Sequence, residues 1–140
     1  MAAPQYIIGL DYGDKRVGVA VAHVVARLPH PLTTIPNDNN LLSNVQHIVQ
    51  QEAVGLIVVG LPRGMDGNYT DQTRKAEQFA ATLRAAVTVP VELADETLTS
   101  VDAEAHLGPG LHAKGDIDAV AASLILERYL AEHPSKELAS

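Results

Sequence analysis

Acidic residues fall at three breaks in the hydrophobic pattern of this chain. Asp11 follows the apolar run Ile7-Ile8-Gly9-Leu10. Asp95 and Glu96 follow Val91–Ala94, and Asp116 and Asp118 flank Ile117 at the start of the apolar stretch that runs to Leu130. Carboxylates brought together from such separate places repel one another, and at least one has its pKa pushed up. A divalent cation removes the conflict. The sequence has no cysteine, so an all-oxygen site suits Mg²⁺ or Mn²⁺ better than zinc. Two such ions about 3.5–4 Å apart are a known device for in-line displacement at phosphorus. Each acid also has a plainer reading. Asp11 can be a turn residue ahead of Gly13, and Asp95 and Glu96 can be solvated acids ahead of a helix. Asp116 reads best as the N-cap of the last helix, and Asp118 as an acid favoured by that helix's dipole.

The elements that would position these acids can be read from periodicity. Gln5–Asp11 and Val17–Ala22 read as a hairpin turning at Lys15–Arg16. Pro29–Ile35, with two prolines, reads as a short strand at a sheet edge. Leu41, Val45, Ile48 and Val49 mark one face of a helix over Asp38–Glu52. Ala53–Pro62 is a continuous apolar run ended by Gly-Leu-Pro, the pattern of a strand covered on both faces. Thr70 is positioned to cap a helix over Asp71–Ala86. Val89–Ala94 is a further strand. Thr99 and Asp102 form a capping pattern for a short helix to Leu107, and Ile117–Leu130 reads as a deeply packed helix. Three strands in a meander followed by β-α-β crossovers imply a mixed sheet with flanking helices. Strand ends at one edge of such a sheet form a cleft, which is where ligands bind.

Bulk properties narrow the class. The 140 residues suit one domain over 1–140, with a frayed polar tail over 133–140. Aromatic residues are few, four Tyr and one Phe, so the core must be aliphatic. No apolar run nears the ~20 residues of a membrane span. The N-terminus lacks the basic and apolar regions of a signal peptide, and the expected location is the cytoplasm. The net charge of -7 opposes broad nucleic-acid binding. A local basic rim is still available from Lys15, Arg16, Arg63, Arg74, Lys75 and Lys114, all in or beside loops near the acids.

Four segments together resemble the YqgF/RuvX family of ribonuclease H-like proteins: "GLDYGDKRVGVAVA", "IVVGLPRGMDGNYTDQTRKAEQFA", "DETLTSVDAEAHL" and "KGDIDAVAASLIL". They occur in the family's order across most of Ile7–Leu130. The resemblance implies a ribonuclease H-like α/β fold: a five-stranded mixed sheet, its first three strands antiparallel and parallel crossovers after them, with helices on both faces. It implies a metal-dependent nuclease whose acids are Asp11, Glu96 and Asp118, selecting Glu96 over Asp95 and Asp118 over Asp116. It places Lys15 and Arg16 on substrate phosphate, and Arg63 and Lys114 belong with them as candidate nucleic-acid contacts. Gly60, Pro62, Asp66 and Gly67 match the family's G-L-P…D-G loop, which either touches substrate or shapes the cleft. Leu98 stands where relatives commonly have Arg, and the loop from Gly108 to Gly115 carries Lys114 as its one firm cation.

The expected function is hydrolysis of phosphodiester bonds in structured nucleic acid with Mg²⁺ or Mn²⁺ in a two-metal site. Within the family, 5′-end processing of precursor 16S ribosomal RNA is favoured here, because a small acidic body offers little surface for a large DNA junction. The alternative substrate is the four-way (Holliday) junction, whose cleavage needs two paired sites; the chain is expected to be a monomer or homodimer. A reading of another class is a non-catalytic nucleic-acid-binding module. An actin-like or sugar-kinase ATPase shares the D-x-G turn but needs two such domains. The histidines form no convincing metal set; His112 is at most an aid to proton transfer.

Overall fold

The computed structural model describes residues 5–64, 67–96 and 114–133. Its elements are β1 (Tyr6–Tyr12), β2 (Arg16–His23), β3 (His30–Pro36), α1 (Leu41–Gln51), β4 (Val54–Pro62), α2 (Asp71–Ala86), β5 (Val91–Glu96) and α3 (Lys114–Glu132). The short helix expected from Thr99 to Leu107, the loop over 108–113 with His112, Asp66, Leu98 and the tail over 134–140 lie outside the described residues.

The strands form one sheet in the order β3-β2-β1-β4-β5. β1 pairs antiparallel with β2, and β2 with β3. β1 pairs parallel with β4, and β4 with β5. The expected mixed sheet is therefore present, with β3 at its exposed edge. Because β1, β4 and β5 run the same way, Tyr12, Pro62 and Glu96 end at one edge.

Alternation decides what each face buries. Ile8, Leu10, Val17, Val19, Val21, Ile57 and Val59 point to one side, where α1 and α2 cover them with Leu41, Val45, Phe79, Ala80 and Leu83. Ile7, Ala20, Ala22, Leu56, Val58 and Ala94 point to the other, where α3 covers them with Ala122, Ile125, Leu126 and Tyr129. The second face is lined by small residues at its centre, which lets α3 approach closely. A Cβ built on Gly9 would lie 2.6 Å from Leu126 Cγ and 3.0 Å from the Ala122 carbonyl oxygen. No helix among the described residues is long and apolar enough to cross a membrane.

Thr70 caps α2 as expected. Its Oγ1 accepts from the Thr73 amide at 3.2 Å, and its own amide donates to Thr73 Oγ1 at 2.9 Å. Two expectations need correction. Arg16 is the first residue of β2 rather than part of the turn. Asp116 is the third residue of α3 rather than its N-cap, because the helix opens two residues earlier, at Lys114. A weak cap signal gave way to the continuous pairing and packing of these elements.

Candidate active site

The site is built where α3 crosses the β1–β2 pair. Asp11 lies opposite Gly18 in the antiparallel register. A Cβ on Gly18 would stand 1.9 Å from the Asp118 carbonyl oxygen, 2.3 Å from its carbon and 2.9 Å from the Ala119 nitrogen. Only the bare backbone of glycine lets the first turns of α3 rest directly on β2. That contact sets Asp118 beside Asp11, across a sequence separation that no local signal bridges.

The electrostatics record the encounter. The Asp11 carboxyl is pushed up from 3.8 to about 7, first by burial and then by the charge of Asp118. Among the described residues no cation is paired with Asp11. Asp118 has one: Arg16 Nε donates to its Oδ2 at 2.7 Å. Arg16 reaches it because residues 16 and 18 share the α3 face of β2. Asp118 thus has a counter-ion and Asp11 has none, and it is the Asp11 carboxyl that is pushed up.

Glu96 is the last residue of β5, in register with Pro62. Strand alternation puts position 96 on the face of Ala94, the α3 face that also carries Asp11. Asp95 belongs to the other face. It is exposed and accepts from Arg63 Nε at 3.4 Å. Among the described residues no group of three His, Asp or Glu side chains is assembled that could hold a metal; Asp11 and Asp118 are in place, and Glu96 enters by its backbone position. This donor set fits a hard divalent cation, since its oxygens carry an unresolved charge conflict that added positive charge would relieve.

The basic residues separate into distinct settings. Lys15 is exposed in the β1–β2 turn. Arg16 is engaged by Asp118 and Arg63 by Asp95. Arg74 and Lys75 are held by Asp71, and Lys75 also by Asp14 at 3.2 Å. Lys114 opens α3.

Several positioning contacts escaped the sequence reading. Asn37 holds the β1–β2 turn: its Nδ2 donates to the Gly13 carbonyl at 2.7 Å, and its amide donates to the Lys15 carbonyl at 3.0 Å. Gly13 closes that turn by donating to the Arg16 carbonyl at 2.9 Å, and a Cβ there would meet the same oxygen at 2.7 Å. Thr73, fully buried, donates from Oγ1 to the Pro62 carbonyl and so ties the end of β4 to the start of α2. The loop that comes next turns at Gly67, whose φ is +82. For Gly18 a signal was available: Gly18, Ala20 and Ala22 alternate with valines, a small face beside a bulky one. An open cleft of about 430 Å³ between α1 and α2, lined by Tyr12, Leu42, Lys75 and Phe79, lies on the side away from these acids.

The sheet order, the antiparallel and parallel pairing and the helices on both faces define a ribonuclease H-like fold. The structure of T. thermophilus RuvC in complex with a Holliday junction substrate shares it, with a TM-score of 0.56 and 13% identity, covering 94% of this chain and 97% of that one. A second Thermus thermophilus RuvC structure gives a TM-score of 0.50 at 12% identity, covering 90% of this chain and 94% of that one. The chain belongs to the RuvX family, described as Holliday junction resolvase, which it matches over residues 5–132. A relative from Chloroflexus aggregans is 42% identical over 132 residues, covering 90% of this chain and 93% of its own. One from Azotobacter vinelandii is 34% identical, covering 96% of this chain and 99% of its own. Both are named, provisionally, as pre-16S rRNA nucleases.

Proposed function

We propose that this protein is a cytoplasmic nuclease that hydrolyses phosphodiester bonds near the 5′ end of precursor 16S ribosomal RNA, using Mg²⁺ or Mn²⁺ held by Asp11, Glu96 and Asp118. The observation that carries the reading is the meeting of Asp11 and Asp118 over Gly18, at the sheet edge where β5 delivers Glu96. The names of the relatives supply the substrate.

When bound, a pair of divalent cations would supply Lewis acidity to the phosphate and lower the pKa of an attacking water. The chain's own residues do the rest. Asp11 sits at the end of a core strand, so its oxygens are rigidly based and need little reorganisation. Asp118 is fixed by the backbone contact of α3 with β2. Lys15, Arg16, Arg63 and Lys114 would offer charge to the phosphates flanking the cut. The 3′-oxygen leaves as water attacks phosphorus.

The four-way DNA junction is the second reading, favoured by the family's description and by a sheet shared with RuvC. It requires a homodimer, whereas RNA trimming can proceed in a monomer. A cleavage panel separates the two. Structured pre-rRNA ends and four-way junctions are offered with Mg²⁺, Mn²⁺ or EDTA, to wild type and Asp118→Asn. Cation-dependent loss of the RNA alone, abolished by the substitution, supports the first reading. Loss of the junction alone supports the second, and cleavage of neither leaves a binding module.

A further inference from the structure

Arg16 presents a problem that a metal site at Asp11 and Asp118 does not by itself solve. The guanidinium occupies Oδ2 of a carboxylate that the cation also needs. An arginine cannot shed its proton, so a divalent ion on Asp118 would face a fixed positive charge on the same group. The pair is also not locked. The side chains of Arg16 and Asp118 are 37% and 25% exposed, and Arg16 contributes Nε to the contact. Arg16 begins β2, next to the turn that Asn37 and Gly13 hold shut, so its backbone stays fixed when its side chain moves.

Building on the proposed metal site, we infer that Arg16 is an internal counter-ion that is displaced from Asp118 when the divalent cation loads, and that the freed guanidinium then takes a substrate phosphate. Cation loading and nucleic-acid binding are thereby coupled through one side chain. Without the cation, Arg16 neutralises Asp118 and keeps it oriented. With the cation, the two acids are satisfied by stronger charge, and the planar donor fork of Arg16 becomes available at the rim. Lys15, already exposed in the adjoining turn, carries no such conditional role. Coupling of this kind is reciprocal: phosphate that captures Arg16 must tighten cation binding by the same factor.

The test titrates Mn²⁺ into the full chain without nucleic acid, read by the electron paramagnetic resonance of free Mn²⁺. A labelled RNA hairpin is then titrated in Ca²⁺ and in EDTA. Arg16→Met is expected to bind Mn²⁺ roughly twofold to fivefold more tightly than wild type, the scale of one partly exposed ion pair removed. Arg16→Lys, which keeps the charge, should fall between them. Wild type should bind the hairpin more tightly in Ca²⁺ than in EDTA, and Arg16→Met should lose most of that gain. A folded Arg16→Met or Arg16→Gln protein with equal or weaker Mn²⁺ affinity overturns the inference, because Arg16 would then only orient Asp118. If wild type binds no Mn²⁺ at all, the proposed metal site fails first and this coupling with it.

Discussion

Replacing Asp11 with Asn leaves the side chain's shape nearly unchanged and removes its charge. In the folded protein the Asp11 carboxyl titrates at about 7, against 3.8 in an unfolded chain. The sign is set by proton binding. Below about pH 4 both states hold the proton and the site costs nothing. Between 4 and 7 the unfolded chain has shed its proton while the folded one retains it, so wild-type stability falls as pH rises. Above 7 both are ionised and the loss is complete. Three units at about 1.4 kcal/mol each set a ceiling of about 4 kcal/mol. Asp11 is partly open to solvent at the strand end, which reduces this to about 2 kcal/mol. Asn never titrates. In EDTA, Asp11→Asn should therefore gain about 2 kcal/mol over wild type between pH 4 and pH 8, about 6–8 °C in Tm for a chain of this size. Any change in hydrogen bonding caused by the amide cancels in that difference of differences. Urea unfolding at both pH values measures it. Saturating Mn²⁺ at pH 8 should then stabilise wild type and leave Asp11→Asn largely unmoved. A stability gap that stays constant with pH would refute the claim that desolvation and the charge of Asp118 raise the Asp11 pKa.

Gly18→Ala forces α3 off β2, since the new methyl would lie 1.9 Å from a helix carbonyl; we expect a loss of about 3 kcal/mol by thermal melting, together with weaker Mn²⁺ binding. Gly67→Ala, whose Cβ meets nothing within 4 Å but whose φ is +82, serves as the control, with strain of about 1 kcal/mol and Mn²⁺ affinity retained. Thr73→Ala orphans the Pro62 carbonyl and opens the α2 cap, at about 2 kcal/mol in urea. It should raise KM more than it lowers kcat, because the loop after β4 loses its anchor; unchanged stability would show that the buried hydroxyl carries nothing.

Much of this protein was legible in one dimension because strands and helices bury faces, and faces repeat. The alternation of Val17, Val19 and Val21 with Gly18, Ala20 and Ala22 assigns both sides of β2 without a structure. The apolar run of β4 declares a strand covered twice, and Asp71–Ala86 was bounded correctly at both ends because Thr70 caps it and its apolar face is regular. Boundaries near charged residues were less secure. Arg16 and Asp116 were placed by turn and cap chemistry, and both yielded to pairing or helix continuity that depends on distant partners. The resemblance to relatives marked the three acids, but it could not say how any of them is held. Which carboxylate keeps its proton and which takes Arg16 depends on distance and burial, and these exist only after α3 has docked. Local sequence dictates the direction in which a side chain points from its element. Where two elements touch is decided by the packing of the whole chain, and here it turns on the missing side chain of Gly18.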